Sequence, residues 1–183
     1  MAKDSSGVRE MEPVRRFAEV AAEYCALVEE YESLSVYRLA ARAAGLLPGL
    51  YSAGLALPEV AAPEAQSDKL DAFYDSVPIK QTAAMARAIG EKIGSHNRYW
   101  QAYDPFEDDQ PVAVTLSEDL ADMYGDLKRG LIAMSKGTER EAAEAAWHWR
   151  LSFGNHWGRH LVSALRVLHY LLYDYLAPDD AGR

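Results

Sequence analysis

The chain has 183 residues and a formal net charge of -9, with 28 Asp and Glu against 19 Lys and Arg. An acidic surface repels nucleic-acid phosphates and anionic lipid headgroups, so neither nucleic acid nor a membrane is an expected partner. The length suits one domain with a core of its own. Ala, Leu and Glu are abundant and Ile and Thr scarce, a balance that favours helix over strand.

The first predicted helix runs from about Pro13 to Tyr31. Val14, Phe17, Ala21, Tyr24, Val28 and Tyr31 recur every three or four residues and so share one face. Cys25 is the only cysteine, which excludes an intrachain disulfide, and it reads as a small buried thiol. A second helix extends from near Ser35 to about Leu57, with Val36, Ala40, Ala43, Leu47, Leu50 and Gly54 in phase. Pro48 interrupts it, and a kink or short break is expected there. Pro58 to Asp68 reads as a linker, and Leu70, Phe73, Tyr74 and Val77 as a short amphipathic piece. A third helix spans about Pro78 to Ile93 and stops at Gly94.

Ser95 to Leu116 reads as a long irregular loop with an aromatic half and an acidic half. The β-type residues Val112, Ala113 and Val114 look too few to build a sheet. The fourth helix opens at Ser117 as N-cap, with Glu118 and Asp119 suited to the positive end of the helix dipole. Leu120, Met123, Leu127, Leu131 and Met134 form its apolar face. A fifth helix begins at a capping box, Thr138 to Glu141, and shows no stop before Pro178. Unbroken to Tyr175 it would extend about 55 Å. Its seam is read as Trp147, Leu151, Gly154, Gly158, Leu161, Leu165, Leu168 and Leu172, with Trp149, Phe153, His156 and His160 on an adjoining stripe.

The centre of that last helix holds the candidate site. Gly154 and Gly158 each cost about 1 kcal/mol in a helix interior, so they mark either a tight helix crossing or a concavity walled by Trp157 and the histidines. His156 and His160, four apart, have the spacing of a metal chelate but require a further ligand, from His148, His96 or a carboxylate. Without one, the histidines are packing residues with hydrogen-bonded rings. Arg159 and Arg166 share a face and either pair with acids or bind an anion. Asp119, Asp122 and Asp126 lie at helical spacing and either pair with those arginines, ligate a metal or stay solvated. No P-loop, dinucleotide fingerprint, His-Glu-x-x-His helix or Cys-x-x-Cys pair occurs.

Several segments carry a family likeness. They are Phe17 with Tyr24, Cys25, Val28 and Glu29; Leu50-Tyr51 with Leu57-Pro58; and the Asp119–Lys128 segment. The most distinctive is Trp147, Phe153, His156-Trp157-Gly158, His160-Leu161 and Ala164 to His169. Together they resemble the bacterial family called domain of unknown function 5063, over about Phe17 to His169. The resemblance implies an all-helical cytoplasmic bacterial protein and transfers no catalytic residue.

The sequence thus predicts an all-α, mostly antiparallel bundle of five to six helices over residues 13–176. A long C-terminal helix forms its centre, and residues 1–12 and 177–183 are flexible termini. The expected function is a non-enzymatic cytoplasmic binding or adaptor module, acting through a protein partner or small ligand at Gly154, His156, Trp157, Gly158, Arg159, His160 and Arg166. No cofactor and no metal are assigned. The alternatives are a metal-dependent enzyme using His156 and His160, and a structural module that forms a homodimer.

Overall fold

Three threonine or serine caps set where helices begin. The side chain of Ser35 accepts from the Arg38 amide (3.1 Å), and that of Thr138 accepts from the Glu141 amide (3.3 Å). Thr115 accepts from the Glu118 amide (3.3 Å) while its hydroxyl donates to the Glu118 carboxylate (2.7 Å). The cap of the fourth predicted helix therefore lies two residues before the expected one. Ser117 is buried in its first turn, and its amide donates to the Asn97 side-chain oxygen.

The structure, a computed structural model, describes residues 7–63, 67–102, 106–108 and 110–178. Its elements in chain order are α1 (Glu12–Glu29), α2 (Val36–Leu55), α3 (Ser67–Asp75), α4 (Ile79–Ile93), β1 (Arg98–Gln101), β2 (Val112–Thr115), α5 (Leu116–Ser135), α6 (Glu139–Asn155), α7 (Trp157–Tyr170) and a π-type turn, Leu171–Tyr175. The fold is the expected helical bundle. α2 runs through Pro48 without a break.

Four expectations need correction. First, the last helix is divided at His156, whose backbone (φ -139°, ψ -90°) leaves the helical region. The break goes with the packing of the aromatic core. In one unbroken helix Trp149 and Trp157 would point roughly 80° apart. The break lets both reach zero exposure beside Phe17, at ring distances of 4.8 and 5.6 Å. The core side of α6 consequently follows Ala142, Ala145, Ala146 and Trp149, while Leu151, placed on the seam by its spacing, is exposed.

Second, the central element is α5, which packs against α1, α4, α6 and α7. Its spacing supplies Leu116, Leu120, Met123 and Leu127 to the core, and small residues open its other faces to neighbours. Gly130 is the tightest of these. A Cβ there would overlap the Trp149 indole, whose Nε1 donates to the Leu127 carbonyl (3.2 Å).

Third, the segment expected as a loop holds an antiparallel pair, with Arg98 opposite Thr115 and Gln101 opposite Val112. Backbone pairing gives these short strands partners that hydropathy spacing does not reveal. Fourth, residues 7–12 are not a loose terminus. Val8 is buried, and Arg9 bonds to Glu139 and to the Gly137 carbonyl, clamping the N-terminal turn onto the start of α6. The remaining terminal residues, 1–6 and 179–183, lie outside the described residues.

Candidate metal centre

The break at His156 decides where the histidines go. α6 ends and α7 begins there, with the His156 carbonyl accepting from the amides of Arg159 and His160. Both imidazoles then face α5, with their rings 4.9 Å apart. On α5, Asp119, Asp122 and Asp126 follow one another at spacings of three and four, so their carboxylates line the same side.

Each histidine commits Nδ1 to one aspartate. His156 Nδ1 donates to Asp126 Oδ2 (2.8 Å), and His160 Nδ1 donates to Asp119 Oδ1 (2.8 Å). The other oxygens of those two aspartates are engaged as well. Asp126 Oδ1 accepts from Arg129 Nη1 (3.1 Å), and Asp119 Oδ2 accepts a short bond from the Tyr99 hydroxyl (2.5 Å). Asp122 stands between the pairs, with Oδ2 3.8 Å from His160 Nε2. One donor atom from each of Asp122, His156 and His160 can be chosen so that all three lie within 4.8 Å of one another. Donors on a tetrahedral zinc sit roughly 3.4 Å apart, so an ion would draw these three in by about an ångström.

The electrostatics agree with this division of roles. Burial pushes the carboxyl of Asp119 up, against the pull of the hydrogen bonds from His160 and Tyr99. Burial also raises Asp122, with His160 and His156 acting in the opposite sense. His156 is raised, chiefly because Asp126 accepts its Nδ1 proton. A dication among Asp122 and the two free imidazole edges would favour the ionised form of the half-buried Asp122 carboxyl.

Asp122 and His156 line a cavity of about 600 Å³ bounded by α3, α4, α5 and α6. A second hollow, about 540 Å³, lies along α4 and the start of α5, and it shares Ile79, Thr82 and Asp122 with the first. Arg129 holds the floor of the larger one. It is 8% exposed, and its guanidinium donates to the carbonyls of Tyr74 (3.3 Å) and Val77 (2.8 Å). It thereby ties the α3–α4 turn to α5.

A family model described as "Domain of unknown function (DUF5063)" matches residues 9–174. The chain belongs to this family. The crystal structure of protein BF1032 from Bacteroides fragilis is similar, with a TM-score of 0.73 and 25% identity, covering 93% of this chain and 99% of that one. No protein with a curated description matches the sequence. Among the described residues, no helix of this DUF5063 chain is long and apolar enough to cross a membrane.

The structure separates the residues singled out by sequence. His156 and His160 come together as expected, and the carboxylate nearest to completing a candidate ligand set with them is that of Asp122. The three aspartates face the histidines, not Arg159 and Arg166. Arg159 is exposed, and Arg166 Nη2 donates to the Trp100 carbonyl (3.2 Å), fastening β1 to α7. Arg150 likewise bonds to the Leu57 carbonyl (2.6 Å) and reaches Glu59. Neither glycine floors a pocket or a helix crossing. A Cβ on Gly154 would meet open space, and one on Gly158 would overlap the Phe153 carbonyl, so Gly158 serves the break itself. Trp157 is core, its indole donating to the Trp149 carbonyl (2.9 Å). His96 lies apart, against Tyr175.

Tyr99 and Arg129, which orient the two outer aspartates, escaped sequence reasoning. Arg129 follows Asp126 by three residues, a helical pairing interval that offered a signal. Tyr99 offered none, since it reaches Asp119 only through the strand pair.

Proposed function

We propose that this protein binds a divalent first-row transition metal through Asp122, His156 and His160 and presents it to the adjoining cavity. The observation that carries this is the pairing of each imidazole Nδ1 with its own aspartate. Such a bond fixes the tautomer, leaves Nε2 as the free lone pair and raises its basicity, the arrangement common behind metal-bound histidines. Asp119 and Asp126 have both oxygens engaged. That leaves Asp122 as the carboxylate available to the ion. Two histidines and one carboxylate leave coordination positions for water or a substrate, as in catalytic metal sites. The reading favours a metal-dependent enzyme over the adaptor module expected from sequence.

The test is uptake of Co(II) or Zn(II) by chelator-stripped protein, followed by calorimetry and elemental analysis. One equivalent should bind with micromolar or tighter affinity. Asp122→Ala and His160→Ala should each abolish uptake while keeping the helical circular-dichroism spectrum. Wild-type protein that takes up less than about a tenth of an equivalent of every first-row divalent ion would refute the proposal.

A further inference from the structure

The larger cavity is not only a vestibule for an ion. Its lining combines the polar Asp122 and His156 with the apolar Phe73, Tyr74, Ile79 and Leu151. Three of these stand unusually open for large apolar side chains: Ile79 is 79% exposed, Tyr74 46% and Leu151 46%. They come from three different helices and converge on one mouth. Exposed apolar groups are unremarkable when scattered, but a rim of them around a concave site marks a binding surface.

A second observation points the same way. His148 also lines this cavity and is 6% exposed, stacked on Phe73 at 4.0 Å with its plane tilted by 14°. Its Nε2 is buried and meets no hydrogen-bond partner. That nitrogen is closed to solvent as well, so His148 meets the cavity through its stacked ring and extends the aromatic wall begun by Phe73. Two further polar groups of the wall are already tied down. Ser152 donates to the His148 carbonyl (2.7 Å) and Thr82 to the Ile79 carbonyl (3.0 Å).

We infer that this cavity takes a small amphiphilic substrate, with an oxygen-donor head on the metal at Asp122, His156 and His160 and a ring-sized apolar body between Tyr74, Ile79 and Leu151. The inference rests on the metal reading and adds the substrate class to it. A volume of about 600 Å³ accommodates a molecule of a dozen or so heavy atoms.

Two hydroxamates test it on Co(II)-loaded protein. Acetohydroxamate and benzohydroxamate present the same pair of donor oxygens and differ in the apolar body. Benzohydroxamate should bind at least about thirtyfold tighter, read from the cobalt absorption bands. In Leu151→Asp, acetohydroxamate affinity should stay within about threefold of wild type, while the preference for the phenyl group falls below about fivefold. Leu151 is half exposed, so this variant keeps its fold. Cobalt uptake with equal affinity for the two hydroxamates overturns the substrate inference and leaves the metal centre standing. So does a preference that Leu151→Asp leaves intact. Absence of cobalt uptake overturns both.

Discussion

Replacing His148 by phenylalanine tests the energetics of the cavity wall directly. Burial holds the His148 imidazole down to about 4, against 6.5 for a free side chain, with Asp126 pulling the other way. The sign follows from linkage. A base whose folded value is depressed contributes nothing to the pH dependence above about 6.5, where both states are neutral. As pH falls from 6.5 to 4 the unfolded chain takes up a proton that the folded chain refuses, and stability is lost. At roughly 1.4 kcal/mol per tenfold change, that interval corresponds to at most about 3 kcal/mol. Solvent near the cavity mouth screens part of it, so about 2 kcal/mol is expected. Phenylalanine keeps the stack on Phe73 and removes both the titration and the unpartnered Nε2. The variant should therefore match wild type or exceed it by about 1 kcal/mol at pH 7, and the gap should widen by about 2 kcal/mol at pH 4. Urea unfolding of both proteins at half-unit intervals from pH 7.5 to 4 measures this. Two stability curves that stay parallel over the whole range would refute the reasoning.

Three further outcomes follow from the geometry. Gly130→Ala should destabilise by about 2 kcal/mol, lowering Tm by roughly 4–8 °C, because overlap with the Trp149 indole outweighs a gain in helix propensity of about 1 kcal/mol. A rise in Tm by scanning calorimetry would contradict this. Gly154→Ala should stabilise by up to about 1 kcal/mol and Gly158→Ala should destabilise by 2 kcal/mol or more (order of magnitude), since open space surrounds the first and the Phe153 carbonyl blocks the second. Equal effects on chemical unfolding would mean that the break at His156 does not rest on Gly158. Asp119→Asn and Asp126→Asn should each weaken Co(II) binding about 10- to 100-fold without changing its stoichiometry, because each aspartate orients a histidine and neither ligates. Loss of the binding site itself in either variant would make that aspartate a ligand.

The sequence by itself determined that this chain is helical and where most helices lie. Apolar residues at spacings of three and four, together with Thr138 and Ser35 as caps, are local signals, and α1, α2, α4 and α5 follow them closely. It also singled out His156 and His160, because two histidines four apart carry a chemical meaning at any depth in a fold. Spacing alone left the place of the break undetermined. The apolar pattern runs through His156 in phase, and the break there goes with tertiary packing, the burial of Trp149 and Trp157 beside Phe17 and the close approach of Gly158 to the Phe153 carbonyl. The partners of the histidines were equally hidden. Asp119, Asp122 and Asp126 lie thirty or more residues earlier, and their charge suited a pairing with arginine as well as with histidine. Packing of α5 against α6 and α7 chose between those pairings. The same packing gave the site its cavity, for local propensity shapes each helix, while the space between helices depends on all the side chains that fill it.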